Sequence, residues 1–574
     1  MKKLFWPLAL SLTLFLARPS EGVEGIGNNN PTGATGEYNG SITTGAQYDP
    51  YTGNAKRGID DLTVTGSIGE YPLKWTRTLN TRGGSGKFGD GGGWRHNYQW
   101  SLSVQEIPGQ CGATCICDGP HGVVSYSDGR KMNLRWEDEL HAYVQADGQE
   151  PMGDRVVHVD GGSGNWYDLR LKDGGRVEFR PASGIPAGAA TAIVDPYGRR
   201  TTLQYTGGQT SKLWRVTEPG GRFLQISYET HSWQSWVNLN PPPMIYTDVI
   251  KQVEAHDGLG HMMEKVIYTY EEVPAQGPLF HAVFLNLTQV AYDDGTHAVY
   301  QYNAPALVHP GNPWSFCAGT IKTCNDVRYA GPMGKIEYEY VPTWQGQLGV
   351  YAQGQVKAEK NMTTHQDVSR LDYQLGGGPF NRKETRPDGA TRLFAYGDGE
   401  LSSYTDFAYP GGTHHATTTT YQFEVTPDLH YYSMVKDARQ HTTKTEKEIK
   451  IGAVVAVIHP NGSSVKYTYT DPDNPYYLAT RKDENQNPTT YTRNPVSHRV
   501  ERIDYPDGGF ETFDYEGNPF GLVQKHRLTS GGVEEFRYDN RGLKTSSWPP
   551  ATDSDPDPWN HPTHYFYYFE GNLV

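Results

Sequence analysis

In this 574-residue chain, chemistry would show first in the spacing of His, Cys and carboxylate residues. His261 and Glu264, in Gly258-Leu-Gly-His-Met-Met-Glu264, come nearest to a zinc pair. They stand three apart in a segment that reads as strand, and no second His lies in helical register, as a zinc protease requires. His414 and His415 follow a turn, and adjacent strand positions face opposite ways, so one ion cannot take both. Asp553, Asp555 and Asp557 alternate as calcium ligands do, yet Pro556 and Pro558 break the run and no closing Glu follows. Cys111, Cys115 and Cys117 lack a fourth zinc ligand at familiar spacing. Cys317 and Cys324 suit a local disulfide in an exported chain, and the count of 5 cysteines leaves a thiol over. A glycosidase pair hidden among the 65 Asp and Glu residues would need a spatial separation of about 5 to 10 Å, which a sequence does not supply. The expectation is no enzyme, with no catalytic residue, no metal and no cofactor.

Net charge is −14, with no run of Lys or Arg against it, so nucleic acid is excluded as a partner. The 39 Tyr and 66 Gly, beside only 36% hydrophobic residues, suit twisted strands joined by tight turns. No part of the body carries a sustained helical period of apolar residues.

The elements that would position any site are repeats. Seven times a Gly is followed five residues later by an apolar or aromatic residue, and seven later by Tyr or Trp. The outer members are Gly129 with Trp136, Gly198 with Tyr205, Gly221 with Tyr228, Gly295 with Tyr302, Gly389 with Tyr396, Gly462 with Tyr469, and Gly508 with Tyr515. In Arg386-Pro-Asp-Gly389 and Tyr505-Pro-Asp-Gly508, Pro presets φ, Asp bonds back to the backbone and Gly takes the positive φ that closes a hairpin. Positions five and seven share a strand face, while position six (Arg135, Gln204, Ser227, Gln301, Ala395, Thr468, Asp514) is mostly polar. One face is therefore expected to pack and the other to be wet. Spacing between units is too uneven for propeller blades, which leaves a long curled sheet of antiparallel hairpins.

Residues 1–22 read as an export signal: Lys2 and Lys3, an apolar run from Leu4 to Ala17, then polar residues. Residues 23–47 form a Gly/Asn/Thr leader, 48–120 a β-rich start domain and 121–574 the repeat array. The loop Phe88-Gly-Asp-Gly-Gly-Gly-Trp94 would cradle phosphate only if a helix followed, and a strand is expected instead.

Tyr538, Asp539, Gly542 and Leu543 match the Tyr-Asp-x-x-Gly-Leu start of a YD repeat. Asp483-Glu-Asn-Gln-Asn-Pro-Thr-Thr-Tyr491 has the companion form, with Gln486 in the place of the usual Gly. With Leu73-Lys-Trp-Thr-Arg-Thr-Leu79 and Gly93-Trp-Arg-His-Asn-Tyr98 ahead of the repeats, the chain resembles the Rhs/YD-repeat family over about residues 48–574. The resemblance implies an all-β fold, part of a hollow YD-repeat shell. As partners it implies further shell segments or a toxin cargo. By the same resemblance, the sequence is expected to end as a further repeat opens, before the family's C-terminal core and toxin domain. A secreted or cell-surface location follows from the export signal, with no stable membrane insertion once the signal is gone. The alternative is a secreted carbohydrate-binding or adhesive protein that takes surface glycans on its aromatic residues.

Overall fold

A computed structural model describes residues 53–566, apart from 82–85, 105–121, 139, 146–153, 160–165, 209–210, 235–243, 277–280, 305, 308–315, 318–319, 329–333, 342–354, 374–379, 398–399, 409–417, 426–429, 438, 449–452, 472–476, 540–541 and 551–560. The export signal, the leader, Cys111, Cys115, Cys117, His414, His415 and the Asp553, Asp555, Asp557 run lie outside the described residues. The described regular structure is strand throughout, as the turn-to-Tyr spacing predicts.

One antiparallel sheet forms a wall in which each strand pairs with the next in sequence, from Ser101–Val104 to Thr563–His564. A two-stranded hairpin, Ala306–Leu307 with Phe316–Cys317, stands aside from this order. Among the described residues no backbone pairing joins the first wall strand to the last, so the sheet is open. The edge of the first strand is covered: the Leu102 amide donates to the Gly188 carbonyl at 2.8 Å, and Ser101 bridges to Ala189. A Cβ on Gly188 would collide with the Leu102 carbonyl, which explains glycine there.

A second, three-stranded sheet lies against the inner face of the wall. It comprises β1 (Lys56–Thr63), β2 (Lys74–Asn80) and β3 (Arg95–His96). Its Ile59, Trp75 and Leu79 share one core with the wall residues Leu134, Leu203, Ile226, Tyr268 and Tyr300, and that core extends to Leu371. The small sheet thus acts as a plug. It ends at His96 and the wall begins at Ser101. A turn, Gln99 N–H to His96 carbonyl, splits the single strand expected after the glycine-rich loop.

The hairpin turns follow the expected chemistry. At Gly198 the amide donates to the Asp195 carbonyl at 2.9 Å, while the Asp195 amide returns to the Arg199 carbonyl at 3.0 Å. This pair of bonds is a type I turn followed by a left-handed residue. The same pair recurs at Gly129, Gly221, Gly295, Gly389, Gly462, Gly508 and Gly542, all with positive φ. Gln486 takes that position at φ 66. The Asp of each Pro-Asp-Gly turn bonds back to the backbone, Asp388 to the Ala390 amide and Asp507 to the Gly509 amide.

Candidate functional site

The strand after each turn shows what the Tyr at position seven does. Position five is buried at Leu134, Leu203, Ile226, Tyr300 and Phe394, and position six is exposed at Arg135, Gln204, Ser227, Gln301, Thr468 and Asp514. Position seven does not simply rejoin the packed face. The register shifts between positions six and seven at Tyr205, Tyr228, Tyr302 and Tyr469. Such a bulge re-aims the side chain. The ring then lies over the preceding strand, and its hydroxyl donates to a backbone carbonyl 15 residues earlier. The pairs are Tyr205 to Ala190 (2.7 Å), Tyr228 to Leu213 (2.7 Å), Tyr302 to Leu287 (2.8 Å), Tyr469 to Val454 (2.8 Å), and Tyr515 to Val500 (2.9 Å). These tyrosines are braces between strands. Trp136 differs, since its indole N–H reaches Asp138 at 2.7 Å, and the Tyr396 side chain is outside the described residues.

Sequence reasoning missed two kinds of brace. Tyr538, read above as the start of a repeat, donates to the Val523 carbonyl at 2.8 Å and also stands seven after Gly531, whose φ is 88. That unit obeys the same spacing and was there to be read. Tyr270 and Tyr340 make the same bond, to Ile250 and Ile321, without a Gly seven residues before them, so the spacing carried no signal for them.

The densest cluster of ionisable groups lies where the plug meets the wall. Arg77 on β2 binds Asp61 on β1 at 2.9 Å and lies 4.4 Å from the centre of the Trp94 ring. Asp61 also accepts the hydroxyls of Tyr268 (2.8 Å) and Tyr292 (2.9 Å), and the Trp75 indole donates to Tyr268 at 2.9 Å. Arg57 pairs with Asp326 at 3.6 Å and donates to the Tyr338 hydroxyl. Tyr300 donates to Asp326. Both Arg77 and Asp61 side chains are fully buried, so each charge depends on its partner. Burial pushes the Glu359 carboxyl up to about 8, against the pull of Arg57 and with a further push from Glu384. His96, stacked on Trp75 at 4.6 Å, is held down to about 3 by burial and then by Arg95. These buried groups join plug to wall.

Cys324 is a free thiol inside this cluster, with its acidity lowered by burial and by Asp326. The disulfide expected between Cys317 and Cys324 is therefore not formed. Cys324 sits on a wall strand facing the core, whereas Cys317 belongs to the hairpin that pairs only with itself.

The glycine-rich loop is also structural. It reaches between two unusually long hairpins of the wall: Lys87 accepts from the Ile250 amide at 2.9 Å, and the Asp90 amide donates to the Leu285 carbonyl at 2.6 Å. The Asp90 carboxylate accepts from the Leu285 amide at 2.8 Å. A Cβ on Gly89 would stand 2.5 Å from the Leu285 oxygen, and one on Gly91 would strike Asn286, so the glycines allow backbone to approach backbone.

His261 is bound by Asp257 at 3.1 Å within its own turn, while Glu264 pairs with Arg328 at 3.5 Å, so the two do not converge. Two other histidines sit between carboxylates. His231 contacts Glu229 and Glu272, and His526 contacts Glu511 (3.1 Å) and Glu534 (3.2 Å). One carboxylate meets each ring nitrogen, which raises the pKa of both rings against the cost of burial. The acids surround the ring instead of meeting at a point, and no group of three potential ligands among the described residues could hold a metal.

No family model and no curated protein matches the chain. Solved structures do. The chain is similar to the TcdB2-TccC3 structure, at 10% identity over 95% of this chain and 29% of that one, with a TM-score of 0.37. It is similar to TcdB2-TccC3-Cdc42 at 12% identity over 82% of this chain and 27% of that one, with a TM-score of 0.36. A Photorhabdus luminescens Tc holotoxin pore with a TccC3 mutation gives 10% identity over 91% of this chain and 26% of that one, with a TM-score of 0.37. The chain thus spans less than a third of the length of these chains. The likeness is one of coarse fold, and no residue role is transferred from it.

Proposed function

We propose that this chain is an exported structural protein, a curled wall of YD-type repeats that helps to enclose another polypeptide, and that it is not an enzyme. One observation carries the reading: the wall curls until it meets itself. The Tyr477 hydroxyl donates to the Pro196 carbonyl, 281 residues earlier in the chain, and Arg499 donates to the Tyr197 carbonyl at 3.3 Å across 302 residues. A sheet that returns on itself bounds an interior. The plug fills that interior along the first part of the wall, whereas Tyr467, Phe513 and Phe536 further along remain only half-buried. The glycan-binding reading is weakened by the braces, since the hydroxyls of the repeat tyrosines are already bonded to backbone.

Protease protection tests the proposal. A small flexible reporter fused behind Val574 is expected to be cut more slowly than the free reporter, and Phe513→Asp with Phe536→Asp should reduce that protection. A fused reporter cut as fast as the free one overturns enclosure. Binding on a glycan array, lost on changing outward tyrosines in a chain that still folds, would favour the carbohydrate reading instead.

A further inference from the structure

The connection between β1 and β2 is a tongue instead of a tight hairpin. The Val64 amide closes its base on the Leu73 carbonyl at 2.9 Å, and Ile68 lies at its far end. The tongue leaves the plug and reaches one rim of the wall, where it meets three hairpin turns. The Ile68 amide donates to Glu218 at 3.0 Å, the Glu70 amide to Asp195 at 3.1 Å, and the Tyr71 hydroxyl to Asp173 at 2.7 Å. Arg199 adds an ion pair with Glu70 at 3.3 Å. Asp195 and Glu218 are themselves fixed in their turns by Arg199 and Arg222. The tongue is therefore anchored to the early wall by directional bonds.

Its contact with the late wall is of another kind. Ile68 is buried, and its side chain fills the space over Gly542, where a Cβ would stand 2.1 Å from Ile68 Cδ1 and 3.3 Å from the Phe520 ring. Beside it run the two hydrogen bonds in which the wall meets itself, Tyr477 to the Pro196 carbonyl and Arg499 to the Tyr197 carbonyl. Glycine is again required on the late side, since a Cβ on Gly521 would collide with the Arg499 guanidinium. Neighbouring wall strands are joined by ladders of backbone bonds, and among the described residues no ladder crosses this seam. One apolar side chain and two side-chain-to-carbonyl bonds separate without unpairing any strand, so the seam is the weakest join in the wall.

We propose that the tongue is a releasable latch, fixed to the early rim and detachable from the late one. The seam it holds is where the wall opens to admit or discharge what it encloses. The proposal rests on the enclosing wall argued above, and its test needs no cargo. Tyrosine nitration of the full chain by tetranitromethane, read by mass spectrometry, reports the seam at Tyr477 and the plug at Tyr300, both buried. Ile68→Asp makes the seat over Gly542 unfavourable, and Gly542→Asn tolerates the positive φ while filling the place of the Ile68 side chain. Each variant is expected to raise nitration of Tyr477 by about tenfold through local opening, with Tyr300 left unreactive. The latch is overturned if either variant leaves Tyr477 as slow as in the native chain. It is also overturned if Tyr300 rises in step with Tyr477, which would mean that the plug as a whole had loosened. Protease protection of a fused reporter judges enclosure separately, so enclosure can fail with nitration as expected here, and the latch can fail with protection intact.

Discussion

The Asp61 carboxylate on the inner plug accepts the Tyr268 hydroxyl of the wall at 2.8 Å, across 207 residues of sequence. This bond, with the Arg77 pair beside it, ties the plug to the wall at full burial. Asp61→Ala leaves the Arg77 guanidinium buried without its counter-charge and should cost about 3 to 5 kcal/mol. Tyr292→Phe removes one hydrogen bond to the same carboxylate and should cost about 1.5 to 3 kcal/mol. Urea unfolding of the two variants gives the comparison, and an equal loss would contradict the central role of Asp61.

The braces predict a repeated, additive loss. Tyr228→Phe and Tyr515→Phe each leave the ring in place and delete one hydroxyl-to-carbonyl bond, so each should cost about 1 kcal/mol. Lying far apart in the wall, the two should add to within about 0.5 kcal/mol in the double variant. Thermal or urea unfolding checks both points.

Gln486 and Gly198 occupy the same turn position with φ of 66 and 82. Gln486→Gly relieves a left-handed side-chain residue and should stabilise by about 0.5 to 1 kcal/mol, less what the Gln486 side-chain bond to the Ser464 carbonyl contributes. Gly198→Ala meets nothing within 4 Å and should destabilise by about 1 to 2 kcal/mol through φ alone. Gly89→Ala carries the same φ cost together with a collision with the Leu285 carbonyl, so its loss should exceed that of Gly198→Ala. Melting curves of the three variants rank them.

Glu359 sets a pH dependence. Its folded pKa is raised to about 8 from 4.5, so the folded state holds a proton that the unfolded state releases. The stabilising contribution is complete below pH 4.5 and is lost as pH rises through about 8. Glu359→Gln should therefore flatten the decline in stability across that window. Urea midpoints measured between pH 5 and 9 give the slopes, and an unchanged slope in the variant would remove Glu359 as the cause.

Much of the wall was legible because its information is local. Gly389 and Gly508 close turns by a φ that other residues resist, and Pro and Asp beside them act on the same few bonds. The buried position five and exposed position six follow from strand alternation alone. Position seven was legible as a Tyr but not as a brace, because its role depends on a bulge and on a carbonyl supplied by another strand. Cys324 shows the same limit: two cysteines close in sequence suggested a bond, yet their strands belong to different sheets.

The sequence by itself determined the strand-and-turn grammar of this protein and its all-β class, since turn residues and period-two patterning act over a few bonds. The tertiary structure alone decided that β1, β2 and β3 would fold into the wall as a plug. It also decided that the glycine-rich loop would reach Ile250 and Leu285, and that Tyr477 would meet Pro196. The last two join residues from 163 to 281 positions apart. They depend on the accumulated twist of many strands, which no local pattern encodes.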